Sequence, residues 1–232
     1  MKRYLTVQIL VGLPGVGKSH YAHLTQTINN RVKIINRDEI RCDLIARMAA
    51  ESKGMLDKTD PGAALAHSND KVFETFIKNN REIKDLDDMV TSYEHMLMRT
   101  AIKRMKPATS QKNFLIMDGC HTKWKDLKDL IDILKKIPEV YLEVYFFGDD
   151  RTQSSLEVNN KKEGDYSDYC RCGVHSAIPK SIFERKRAEY KELLTNHLKE
   201  IKSLIDYGAM DCIDIDTIVP LTEIEGHPSI HF

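Results

Sequence analysis

The stretch "GLPGVGKS", residues 12–19, packs three glycines and one proline into six positions directly before a lysine and a serine. Ahead of it runs the apolar "YLTVQILV" (4–11), and behind it the more polar "HYAHLTQT" (20–27). That order reads as strand, loop, helix, and the loop satisfies G-x-x-x-x-G-K-[ST] without mismatch. Glycines allow positive φ and turn successive N–H groups inward, which makes a nest for phosphate oxygens. A helix beginning near Lys18 adds its partial positive end. The contact set expected on a nucleotide is Gly12, Pro14, Gly15, Val16, Gly17, Lys18, Ser19 and His20. Within it Lys18 reaches the β- and γ-phosphates of ATP and the Ser19 hydroxyl ligates Mg²⁺. The plainer alternative is a glycine-rich turn with an accidental Lys-Ser.

Working outward, short apolar runs alternate with longer amphipathic ones. The expected strands are 4–11, 32–36, 113–117 and 140–147, with a weaker one at 212–216; "VKII" and "FLIM" are continuous enough for strands buried on both faces. Helices are expected over 18–27, 38–50, 123–137 and 181–204. In "LKDLIDILKKI" the leucines and isoleucines recur at spacings of three and four. Residues 69–105 read as mostly helical with a break near "NNREIKDLDD". The pattern is that of an α/β fold, a mostly parallel sheet flanked by helices on both faces, in one domain spanning 1–232. Residues 51–68 read as an inserted loop, 159–179 as a long lid-like connection and 217–232 as a tail.

Composition bounds the reading without choosing a partner. Lys+Arg and Asp+Glu are equal at 35 each, so net charge points to no polyanion and excludes none. The five cysteines are odd in number and irregularly spaced, which argues for reduced thiols and a cytoplasmic location. The N-terminal run resembles a signal peptide only loosely, since Thr6 and Gln8 interrupt it and no small-residue cleavage site follows. No run approaches the roughly 18 apolar residues of a membrane span.

Two acids stand at strand ends, where ligands bind in open α/β sheets. In "INRDEIR" (35–41), Asp38 and Arg41 lie three apart on one helix face. A carboxylate there can orient and deprotonate a hydroxyl, and an arginine one turn on can grip a phosphate. Alternatively Asp38 caps the helix and Arg41 is merely solvated. Asp118, ending "NFLIMD", is placed for Mg²⁺, directly or through its waters, or else belongs to an Asp-Gly turn. Cys170, Cys172 and His175, with Cys120 or His121 as a fourth ligand, could hold zinc, but the spacing is poor for a structural site and free thiols are the default. Trp124, Tyr166 and Tyr169 are candidates for stacking on bases, with loop packing the plainer role. The helix carrying Arg185, Lys186, Arg187 and Lys191 could track phosphates, but interleaved Glu184, Glu189 and Glu192 favour a solvated, ion-paired face.

Taken together, "GLPGVGKSH", "INRDEIR", "LIMDG" and a basic stretch ending "HSAIP" resemble the kinase domain of phage polynucleotide 5′-kinases, P-loop kinases with an adenylate-kinase-like core. The resemblance spans roughly residues 4–194. It implies transfer of the ATP γ-phosphate to a hydroxyl of a polynucleotide, most simply the 5′-OH end of DNA or RNA. It also implies that Lys18 and Ser19 handle ATP and Mg²⁺, Asp38 activates the acceptor hydroxyl, and Arg41 holds the neighbouring phosphate. Arg171 is the best match to the family's lid arginine, with Lys161 and Lys162 as rivals. Bifunctional relatives add a D-x-D-G-T phosphatase motif; "CIDIDTIVP" lacks its glycine, and 3′-phosphatase activity is not expected. Two other acceptors stay open, a hydroxymethyl pyrimidine in DNA and a nucleoside, sugar or other small alcohol. A nucleotide-binding regulatory module without phosphotransfer is the alternative of a different class. Oligomeric state is not legible in the sequence.

Overall fold

The computed structural model describes residues 5–52, 86–105, 113–147 and 180–204. The described elements are β1 (Leu5–Val11), α1 (Lys18–Ile28), β2 (Val32–Asn36), α2 (Arg37–Ser52), α3 (Leu86–Arg104), β3 (Asn113–Asp118), α4 (Trp124–Lys135), β4 (Val140–Phe146) and α5 (Lys180–Glu192). A π-helical turn (Leu193–His197) and α6 (Leu198–Leu204) follow. The insertion expected over 51–68 begins two residues later than read, since α2 runs on through Ser52; the rest of it, the expected strand at 212–216, the lid with Arg171 and the tail lie outside the described residues.

The four strands pair in parallel in the order β2-β3-β1-β4. The fold is therefore α/β with an all-parallel sheet, a layout compatible with that of P-loop NTPases. β1 is buried at all seven positions, as a central parallel strand covered on both faces must be. On one face α1 packs, and there Gln8 donates to Glu143 at 2.8 Å and accepts from the Tyr21 hydroxyl at 3.3 Å. Burial and the Glu143 carboxylate push the Tyr145 hydroxyl far above its ordinary range, so it stays a neutral donor to Glu143.

α4 shows why the amphipathic spacing holds. Leu127, Leu130, Ile131 and Leu134 recur at three- and four-residue intervals and all are at most 1 % exposed. Each such burial is worth about 1.5–3 kcal/mol relative to an exposed side chain. The helix ends two residues before the expected limit, because Lys136 and Ile137 donate to carbonyls only three residues back, tightening the last turn. Trp124, at its first turn, is stacked on His197 with ring centroids 4.7 Å apart and Lys128 against the same ring, which binds α4 to the π-turn. No helix among the described residues is long and apolar enough to cross a membrane.

Candidate functional site

Because β3 lies between β1 and β2, the carboxyl ends of these three strands stand side by side. From β1 comes the glycine loop, from β2 the start of α2, and from β3 the acid Asp118. This is the crevice that open α/β sheets use for ligands.

The loop leaves β1 under tight constraint. Phe147 N–H donates to Val11 O at 2.7 Å and Gly12 N–H donates to Cys120 O at 3.0 Å. A Cβ on Gly12 would lie 2.8 Å from the Phe147 Cβ, closer than real side chains come, so this position needs glycine for room. Gly17 has open space around it but a φ of 98°, so there the demand is for backbone conformation at the N-cap of α1. Lys18 follows, buried at 6 % exposure, with its ammonium donating to Leu13 O at 2.6 Å across the loop. A buried cation arching over its own loop, with one bond to a neutral carbonyl, is suited to an anion placed within that arch. Gly15 and His20 are exposed, Pro14 and Ser19 half-buried, and Val16 buried.

Asp118 is 2 % exposed at the end of β3, opposite Asn36 in register. Burial pushes its carboxyl above the usual carboxylate range; a hydrogen bond from Ser19 and the charge of Lys18 oppose the shift, and Asp38 adds to it. So Ser19, Lys18, Asp38 and Asp118, four of the residues singled out in the sequence, fall within one electrostatic neighbourhood. Asp38 is exposed, so its carboxylate is accessible to an incoming group. The Ser19 hydroxyl and the Asp118 carboxylate are hard oxygen donors suited to Mg²⁺, an ion that keeps its remaining positions for water and phosphate. Among the described residues there is no group of three or more His, Cys, Asp or Glu that could hold a metal. The remaining positions of an ion held by that pair would fall to water or phosphate oxygens. Of the residues weighed for zinc, Cys170, Cys172 and His175 lie outside the described residues, while Cys120 is a free, half-buried thiol and His121 is bonded to Leu10 O and Glu94.

Asn36 was not singled out in the sequence, yet it organises the crevice. Its Oδ1 accepts from the N–H groups of Asp38 at 2.8 Å and Glu39 at 3.0 Å, which makes it the N-cap of α2. Its Nδ2 donates to Asp118 Oδ2 at 2.8 Å. The capping role left open for Asp38 thus falls to Asn36, which leaves the Asp38 carboxylate outside the cap. The N-x-x-E spacing of Asn36 and Glu39 was the available signal.

Arg41 does not stand free. Its guanidinium pairs with Asp87 in the first turn of α3. That pairing, reinforced by the charges of Lys186 and Arg37, outweighs desolvation and holds the Asp87 carboxyl below its usual range. Arg37, also passed over in the sequence, pairs with the buried Glu94 and donates to Thr91 Oγ1 at 3.0 Å. Arg185 and Lys186 are ion-paired with Glu189, and Arg187 with Glu184, as the interleaved charges suggested.

No protein-family model matches the chain, and no curated protein matches it.

Proposed function

We propose that this chain is an ATP-dependent kinase that transfers the γ-phosphate to a hydroxyl of a polynucleotide, most simply a 5′-OH end. The observation that carries the reading is the convergence at three adjacent strand ends. Lys18 and Ser19 open α1, the buried Asp118 is bonded to Ser19, and the accessible Asp38 acts electrostatically on Asp118. A purely structural turn has no use for a buried lysine whose charge acts on a buried acid that a second, exposed acid also influences.

In this reading the loop amides and Lys18 hold the phosphates, while Ser19 and Asp118 hold Mg²⁺, which would supply charge neutralisation on the phosphate oxygens. Asp38 accepts the proton of the acceptor hydroxyl as its oxygen bonds to the γ-phosphorus. The bond from that phosphorus to the β,γ-bridging oxygen breaks, and ADP leaves. Arg41 exchanges Asp87 for a phosphate of the acceptor, and Arg171 serves as the cation from the lid. The choice of a polynucleotide rests on the resemblance carried by "INRDEIR", and the chemistry of the crevice is common to other alcohol acceptors.

The test is transfer of label from γ-labelled ATP to a panel: 5′-OH DNA, 5′-OH RNA, hydroxymethylated DNA, and small alcohols including nucleosides. Label on the ends is the expected result. Label only on modified bases or small alcohols replaces the acceptor. Tight nucleotide retention or hydrolysis without label on any alcohol replaces the kinase with a nucleotide-binding module.

A further inference from the structure

Arg37, Glu94 and His121 come from α2, α3 and the loop after β3, and they meet in the interior. Glu94 Oε2 accepts from Arg37 Nη1, and Glu94 Oε1 lies 2.8 Å from His121 Nε2. The Glu94 and His121 side chains are each 1 % exposed. The other ring nitrogen of His121, Nδ1, lies 2.8 Å from the carbonyl oxygen of Leu10, which can only accept, so Nδ1 carries a proton. Burial alone would raise the Glu94 carboxyl, but His121 and Arg37 more than offset it and hold it below the usual range. Glu94 thus stands at the centre of a buried chain, bonded to Arg37 through one carboxylate oxygen and to His121 through the other.

This chain fastens several parts of the crevice together. Its histidine has a φ of 43°, an unusual backbone state for a residue other than glycine, held by bonds from both ends of the ring. The same loop is tied to the start of the glycine loop through Cys120 O and Gly12 N–H. Gly119 leaves no room for a side chain: a Cβ there would lie 2.5 Å from Arg37 Cδ and 2.9 Å from His121 Cε1. At its other end the chain holds Arg37, the first residue of α2 and the neighbour of Asp38. Buried ion pairs add little stability over apolar packing, and in some proteins they instead fix one arrangement.

We propose that Glu94 and His121 are positioning residues that act through Arg37. They set the direction of the first turn of α2, and with it the place of Asp38 and Arg41 relative to the glycine loop. The inference rests on the kinase reading in that Asp38 and Arg41 are taken to serve the acceptor.

The test compares Glu94→Ala, Glu94→Gln and His121→Asn with the unaltered protein, each first checked for cooperative unfolding. A misplacement of about 1 Å in a reacting group costs on the order of 100-fold. For Glu94→Ala, kcat/KM for a 5′-OH oligonucleotide should fall by about that factor, with ATP affinity changed less than about threefold. Glu94→Gln, which keeps the volume and an oxygen for Arg37, should recover most of the loss. His121→Asn tolerates the left-handed backbone and should behave like the alanine variant. If Glu94→Ala does not fold, the comparison of Glu94→Gln with His121→Asn decides the same question. Acceptor kcat/KM unchanged in the folded variants would overturn the proposal, as would equal losses of ATP affinity and acceptor turnover.

Amide exchange gives a readout that does not depend on transfer. In Glu94→Ala, or in His121→Asn if the alanine variant does not fold, residues 38–41 should exchange roughly tenfold faster while α1 stays unchanged. Equal exchange at 38–41 overturns the proposal. A protein that labels no alcohol at all removes the kinase reading and still leaves the positioning of α2 tested by exchange.

Discussion

Asn36 and Asp118 face each other at the ends of two adjacent parallel strands, the amide of one donating to the carboxylate of the other at 2.8 Å. The same asparagine caps α2 with its oxygen. One side chain therefore sets both the start of the helix that carries Asp38 and the aim of the buried acid beside Ser19.

Replacing Asn36 by alanine removes both roles. Loss of an N-cap costs about 1 kcal/mol, and loss of a hydrogen bond to a buried carboxylate about 1.5–3 kcal/mol. Urea unfolding should show a loss of at least about 2 kcal/mol with an unchanged m-value. Asn36→Asp keeps the cap oxygen but sets a second carboxylate against Asp118. Its deficit should therefore grow as pH rises through the carboxylate range.

Asp118 has the opposite relation to stability. Its folded-state affinity for a proton is raised, so the ionised form is the costly one. The stability it contributes is complete below the unfolded value near 3.8 and is lost as pH rises through the higher folded value. Asp118→Asn should therefore be more stable than the unaltered protein at neutral pH, with the advantage vanishing in acid. The same variant should lose Mg²⁺-dependent turnover. Thermal melts across pH, set beside activity, check both halves.

Glu94 should behave in the reverse sense. Its folded-state carboxyl is held low, so its contribution is present above the unfolded value near 4.5 and is lost as pH falls through the folded value. Glu94→Gln should flatten the acid limb of the stability–pH curve. The full curve for both proteins, measured at fixed ionic strength, displays the difference.

The pair of Arg41 and Asp87 is partly exposed and is worth at most about 1 kcal/mol. Asp87→Asn should leave the melting temperature nearly unchanged. It should lower KM for an acceptor bearing a phosphate next to the reacting hydroxyl by about two- to fivefold, since Arg41 no longer has to exchange partners. An acceptor without that phosphate should show no gain.

Much of the fold was legible because parallel strands and amphipathic helices write themselves in apolar spacing. Val32–Asn36 matches its expected limits, and the Asn113 and Val140 strands each shift by one residue at their ends. The strand order was not legible, since the pairing of β1 with β3 joins residues more than a hundred positions apart. The single helix expected over 181–204 is instead broken by a π-turn at Leu193–His197, where one extra residue per turn leaves no mark in the hydrophobic pattern. Within the site, Lys18, Ser19, Asp38 and Asp118 were found from motif and strand ends. Arg37 and Glu94 were missed, and His121 was weighed only as a zinc ligand, because a buried cluster across elements has no local spacing. One signal was present. Glu94 falls on the Leu86, Val90, Met98 stripe of α3, a charge in an otherwise buried row.

The most direct measurement is transfer of label from γ-labelled ATP to a 5′-OH oligonucleotide by the unaltered protein and by Asp38→Asn, with ATP affinity measured on both. The expected result is label on the oligonucleotide, lost by about 10²- to 10⁴-fold in the variant, with ATP binding within about threefold of the unaltered protein. Near-normal transfer by Asp38→Asn, or no transfer by the unaltered protein despite ATP binding, would contradict a kinase built on this crevice.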